Sequence, residues 1–218
     1  MKESKSTLSI KSIFLFAITA LLVFVVITVF YFRDTRIDAF MFENISPYIN
    51  SGRTNLMLSI TFLGNPKFLI PANLLLILYF IIRKDNWLAI TVAAVELSSL
   101  GLMSLLKNII QRPRPDFPLV EGITNYSFPS GHAFMTVVFF GLITLFSISN
   151  NNKRKNTWIV SVMIILIFLI GFSRIYLRVH YATDVMAGWC IGSIWLITSL
   201  SILGIIKAKF NAEKIQGL

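Results

Sequence analysis

The stretch SRIYLRVHYATD, Ser173–Asp184, lies between two long apolar runs, and how the chain turns there decides the fold. Thr157 to Tyr176 precedes or overlaps it and Asp184 to Ile206 follows, each about the 20 residues that cross a bilayer as a helix. His180 and Asp184 are four apart, so on a helix both fall on one face about a turn apart. Ser173 and His180, seven apart, also share a face, whereas Arg174 joins them only if the helix ends in between. The spacing therefore predicts a break near Leu177 to Val179 and two separate spans whose polar ends meet at one membrane face.

The remainder of the 218-residue chain agrees, with 56% apolar and 14% charged residues against about a quarter charged in a soluble domain. This composition and length indicate one integral-membrane domain. The net charge of +10 does not point to a nucleic-acid partner, because the charges form short clusters between apolar runs, as loops between spans do. Cys190, the single cysteine, sits in an apolar run and reads as a small packed side chain, so no internal disulfide forms.

Six spans are predicted, at about residues 12–32, 66–83, 87–110, 132–149, 157–176 and 184–206, giving an all-α six-transmembrane-helix bundle. Ser12 to Phe32 is free of charge and longer than a signal-peptide core, so it reads as an uncleaved span. After it, Ile37, Phe40, Met41, Ile45 and Tyr48 recur at helical spacing among polar residues, predicting an amphipathic helix in the interface plane. Gly64, Asn65 and Pro66 interrupt the chain before the second span, and Asn55 to Leu63 reads equally as interfacial or inward-dipping. Pro113 and Pro115 end the third span, since proline lacks an amide donor and disfavours helix in the residue before it. NNNKRKN, Asn150–Asn156, reads as a solvated turn.

Six spans put both termini on one side. That side carries eleven Lys and Arg; the other carries nine, five of them in the chemical motifs described next, so the positive-inside rule makes both termini cytoplasmic. Lys107 and Arg114 then end the third span, PSGH (Pro129–His132) begins the fourth, Ser173–His180 ends the fifth and Asp184 begins the sixth, all on the non-cytoplasmic face.

Lys107, Arg114 and Arg174 supply three positive charges, two with the planar fork that matches phosphate or carboxylate oxygens. Gly131 lets the backbone come close to a ligand, and amides of Ser130 and Gly131 at the start of a span suit an anion. A phosphate is the natural occupant. Single interfacial arginines more often snorkel to headgroups, but three cations converging with both histidines of the chain favour a site. Asp184 accepts the proton of one His180 nitrogen, fixes the tautomer and frees the other nitrogen to attack. His132, the only other imidazole, is the candidate general acid.

KNIIQRPRP (Lys107–Pro115) fits K-x6-R-P, PSGH fits P-S-G-H, and SRIYLRVHYATD fits S-R-x5-H-x3-D. Together they resemble the three-part signature of the type 2 phosphatidic acid phosphatase superfamily, and the likeness extends over roughly residues 10–208. RPRPDF and SFPSGH are most similar to bacterial B-type phosphatidylglycerophosphatases and undecaprenyl pyrophosphate phosphatases. The resemblance implies a haloperoxidase-like helical fold and a metal-independent, cofactor-free hydrolase in a bacterial plasma membrane, its site on the outer face. Its partners would be the bilayer and a lipid phosphate: phosphatidylglycerophosphate, phosphatidate or undecaprenyl pyrophosphate. Lys107, Arg114 and Arg174, with Ser130 and Gly131, would hold the phosphate. His180, oriented by Asp184, would form a phosphohistidine, and His132 would protonate the leaving group. The competing readings are a non-catalytic lipid-phosphate binding or transport protein, expected to have lost a histidine or arginine, and a vanadate-holding oxidoreductase, whose known examples are soluble.

Outside the signature, Arg112, Asp116 and Arg178 read equally as headgroup contacts and as exposed loop charges. Glu121, Asn125 and Tyr126 lie in the loop over the site, where the NYS glycosylation pattern is disfavoured. Glu96 is a mid-span carboxylate, eleven residues from Lys107 and so about 16 Å deeper on the same face, and a structural hydrogen-bonded role is the favoured reading.

Overall fold

The structure, a computed structural model, describes residues 35–148 and 152–216; the span expected at Ser12–Phe32 lies outside the described residues. Within them the elements are α1 (Thr35–Ile45), a 3-10 turn (Ser46–Tyr48), α2 (Ser51–Phe62), α3 (Pro66–Ile82), α4 (Asn86–Ile110), α5 (Gly131–Ser147), α6 (Lys153–Tyr176) and α7 (Ala182–Gln216), and no strand occurs among the described residues. Helices answer the membrane's demand that every backbone donor and acceptor be paired internally. Ser51–Ile82 taken together, Asn86–Ile110, Lys153–Tyr176 and Ala182–Glu213 are long and apolar enough to cross a bilayer, and α5 is a shorter apolar helix.

Side chains cap the helix starts. Asn50, Asn65, Asp85, Ser130 and Asn152 each accept a hydrogen bond from an amide two or three residues on. The Asn152 cap starts α6 at Lys153, so the basic cluster expected in a solvated turn is the exposed first turn of a helix. At the other end of the chain α7 runs past Ile206 to Gln216, carrying Lys207 and Lys209 on a continuous helix instead of a separate tail. α4 stops where the prolines require, with Gln111 in the left-handed conformation (φ 48°).

The break expected near Leu177 to Val179 is present. α6 ends at Tyr176, and Arg178 adopts φ 53°. The Arg178 amide donates to the Ile175 carbonyl at 3.0 Å and the Val179 amide to the Arg174 carbonyl at 3.2 Å, a Schellman ending built on arginine in place of the usual glycine.

α5 forms the centre, packed on α7, α6 and α4. Its buried Phe134, Val138 and Leu142 interlock with Val95 and Met103 of α4 and Leu196 of α7. On α7, Gly188 and Gly192 form a G-x-x-x-G face against α5: a Cβ at Gly188 would lie 2.8 Å from the Ser130 carbonyl oxygen, and one at Gly192 2.9 Å from that of Phe134. Small residues let the two backbones touch, as association within lipid requires.

Residues 51–62 are helical and lie against α6, with Thr61 buried. α1 forms where the periodicity places it, but its inward face carries Asp38 and Ile45, while Ile37, Phe40 and Tyr48 remain exposed. The polar contact that docks it has no local sequence signal.

Candidate active site

Four helix ends meet at one end of the molecule: the last turn of α4 with Lys107, the first of α5 with Gly131 and His132, the last of α6 with Arg174, and the link into α7 with His180. The α4–α5 connection brings in Arg114. These six residues line one cavity of about 1340 Å³. The other two predicted site residues, Ser130 and Asp184, are fully buried behind its wall.

His180 is 2% exposed. Its Nδ1 stands 3.5 Å from Asp184 Oδ2 and 3.4 Å from Ser127 Oγ, and its Nε2 is 3.3 Å from the Arg114 guanidinium. The His180–Asp184 pairing expected from helical spacing is therefore present but is made differently, because His180 precedes α7. Asp184 is the third residue of α7 and reaches back to accept the Tyr181 amide at 2.9 Å, as a capping-box carboxylate does, which turns it toward the imidazole. It also accepts from the Ser127 hydroxyl and, at 2.6 Å, from Arg112. Burial pushes the His180 imidazole down to about 4, against the raising pull of the Asp184 hydrogen bond, so the ring is neutral at pH 7.

The cations are oriented by oxygen acceptors of the protein. Arg114 donates to the Asn125 carbonyl at 2.7 Å, to the Asn125 side chain and to the Val179 carbonyl; Lys107 donates to the Tyr126 carbonyl. Asn125 and Tyr126, placed by sequence in a loop over the site, are thus the carriers of the two cations. Arg174 donates to Thr61 Oγ1 at 2.8 Å, while its Nε is buried without a partner. His132 Nε2 is also buried and unpartnered. Two orphaned nitrogens on residues that line a cation-rich cavity fit an oxyanion.

Ser130 holds this geometry from below. Its amide donates to the Asp184 carbonyl at 3.0 Å and its hydroxyl caps α5 at the Ala133 amide, so it is spent on fixing the helix start while Gly131 faces the cavity. Away from the cations the cavity continues between α3 and α4 past Ile70, Leu74, Ile77, Leu97 and Leu100, with Asn73 and Glu96 at that end. Leu74 and Leu97, which line this arm, are also largely exposed, so the arm is open along the α3–α4 face.

Sequence reasoning missed several supports. Arg112, left between headgroup contact and loop charge, bridges Asp184 and Asp38. Arg178 donates to Ser46 Oγ at 2.6 Å and lies over the Phe42 ring, tying down the end of α1, while Asp116 is exposed. Ser127, three residues before Ser130, was within reach of the motif; Thr61 and Asp38 carry no signal.

A sequence profile of the PAP2 superfamily matches residues 87–206. The chain is 30% identical over 150 residues to phosphatidylglycerophosphatase B of Bacillus subtilis, covering 67% of this chain and 71% of that protein. It is 33% identical over 165 residues to an undecaprenyl-diphosphatase of Sulfolobus acidocaldarius, covering 74% of each. The crystal structure of a transmembrane PAP2 type phosphatidylglycerolphosphate phosphatase from Bacillus subtilis shares the fold, with a TM-score of 0.75 over 85% of this chain and 94% of that one at 22% identity. The family profile and the relatives together define a membrane phosphatase. The chain belongs to the PAP2 superfamily.

Proposed function

We propose that the protein is a metal-independent phosphatase that hydrolyses a lipid phosphomonoester or pyrophosphate through a phosphohistidine. The observation that carries this reading is one cavity in which Lys107, Arg114 and Arg174 surround His132 and His180 and which continues into an apolar arm between α3 and α4. The three cations and the Gly131 backbone hold the phosphate oxygens, with Ser130 capping the helix that presents Gly131. They neutralise the charge spread over the transferring phosphoryl group, the work a magnesium ion does elsewhere.

Neutral His180 attacks phosphorus through Nε2 while Nδ1–H stays on the Asp184 side. The bond from phosphorus to the leaving oxygen breaks, and His132 gives that oxygen its proton. Water then attacks the phosphohistidine, passing a proton to His132, and inorganic phosphate leaves with His180 restored.

The names of the two curated relatives support phosphatidylglycerophosphate and undecaprenyl pyrophosphate as substrates, with phosphatidate a third, since the grip is on phosphate and the tail lies in the apolar arm. The full topology we propose has six spans with Ser12–Phe32 as the first, both termini cytoplasmic and the site on the outer face of a plasma membrane, where recycling of a cell-wall lipid carrier would take place. Phosphate release from the three lipids at matched surface density, in EDTA, tests this reading. Turnover is expected to persist in the chelator and to vanish in His180→Ala. Loss of activity on chelation, or an active His180→Ala, defeats it.

A further inference from the structure

Asp38 lies outside all three motifs and outside the profile-matched segment, yet it is only 3% exposed and fully engaged. Its carboxylate accepts from Arg112 Nη2 at 2.8 Å, from the Thr183 amide at 2.9 Å and from the Thr183 hydroxyl at 2.8 and 3.0 Å. Arg112 turns its other terminal nitrogen to Asp184 Oδ1 at 2.6 Å and Thr183 Oγ1 at 2.8 Å, with its plane over the Tyr181 ring at 4.0 Å. A continuous chain thus runs from Asp38 on α1 through Arg112 and Asp184 to His180.

The charges of that chain matter for the reaction. Arg112 against Asp184 alone is a neutral pair and would leave His180 without a counter-charge when its ring becomes cationic on bonding phosphorus. Asp38 adds a second carboxylate, so the two acids and one arginine carry a net single negative charge matched to the ring. We infer that Asp38 is a positioning residue for the nucleophile: it holds Arg112 and takes up half of its charge, leaving Asp184 a full acceptor for the His180 proton. This rests on His180 being the nucleophile. It makes α1, a helix the motifs do not touch, part of the catalytic apparatus.

A helix clamp with no catalytic part would change stability and leave the ionisation of His180 alone. The groups that face His180 are Lys107 of α4, Arg112 and Arg114 of the following loop, His132 of α5, Arg174 of α6, and Tyr181 and Asp184 beside and on α7, with Asp38 behind Arg112. The experiment is the pH profile of kcat/KM for the full-length protein on one lipid phosphate, so that substrate ionisation is common to all variants. Asp38→Asn removes a negative charge and is expected to lower kcat at least tenfold and move the acid limb down by about one pH unit. Arg112→Gln removes a positive charge and is expected to move it up by about as much. Shifts of that size follow from one charge about 10 Å away, with one side chain (Arg112) or two (Asp38) between, at an effective dielectric of about 20.

Limbs that stay at the wild-type position, or that both move the same way, overturn the inference. Thermal unfolding of each variant shows that the compared proteins are folded; should Asp38→Asn not fold, the Arg112→Gln limb decides, an upward shift supporting and an unmoved limb refuting. His180→Ala separates the two levels. If it is inactive while Asp38→Asn keeps the wild-type profile and rate, only the role of Asp38 fails; if it is active, the nucleophile itself is misassigned and the role of Asp38 falls with it.

Discussion

Replacing Gly64 by alanine sets a methyl group against the histidine proposed as the proton donor. A Cβ at this position would stand 2.7 Å from Ile170 Cγ2, 2.9 Å from His132 Cδ2 and 3.2 Å from Thr136 Cγ2. Carbon atoms rest at about 3.5–4.0 Å, so the His132 ring has to retreat by about 0.6 Å unless the turn between α2 and α3 moves instead. Ile170 is completely buried among Leu69, Phe139 and Phe140 and has little room to yield, whereas the imidazole borders the cavity. Overpacking of this kind costs about 1–3 kcal/mol of stability. Misplacing a reacting group by about 1 Å costs on the order of 10² in rate, so roughly half that displacement should cost about tenfold. Initial rates on a dispersed lipid phosphate, resolved into kcat and KM, with thermal unfolding alongside, provide the assay. We expect kcat to fall about tenfold with KM within twofold of wild type and with a lowered Tm. A lowered Tm with kcat intact would refute the reasoning, because the ring would then have moved without consequence for proton transfer.

Two further predictions use the same preparation. The burial that holds His180 down to about 4 keeps it neutral well below neutrality, so with His180 as the proposed nucleophile kcat/KM should begin to fall only as the pH approaches about 4, where the ring would gain a proton and lose its attacking lone pair; a limb centred at about 6.5, the value of a solvated imidazole, would contradict this. Glu96→Gln should leave turnover unchanged, since Glu96 is hydrogen-bonded to Asn73 in the cavity's far arm, about 16 Å along α4 from Lys107 by helical rise; a tenfold loss of kcat would place Glu96 in the site.

Much of the architecture was readable because membrane helices announce themselves locally. Pro113 and Pro115 closed α4, and the conflict of register among Ser173, Arg174 and His180 located the break that the Schellman turn at Arg178 makes. The helix-end convergence of Lys107, Gly131, His132, Arg174 and His180 followed from topology alone. What stayed hidden depends on partners far away in sequence. Arg112 reads in sequence equally as a headgroup contact and as a loop charge because Asp38 and Asp184, two of its acceptors, are 74 and 72 residues distant. The apolar stripe of α1 pointed to lipid, and nothing in it revealed that Asp38 faces inward. Ser130 read as a ligand because an N-cap and an anion-binding hydroxyl use the same chemistry, and only its engagement with Asp184 and Ala133 tells them apart.

The sideways arm of the cavity has a bearing on how rates are to be measured. With Leu74 and Leu97 both lining it and largely exposed, the arm would give the lipid phosphate proposed as substrate a path to the cations by lateral diffusion, without passage through water. Under the proposed reading the governing concentration is therefore two-dimensional, the mole fraction of lipid phosphate in the bilayer or micelle. Added detergent would slow the reaction by surface dilution alone and mimic a competitive inhibitor, and a soluble phosphate analogue would be a weak ligand until it carries a tail long enough to occupy the arm.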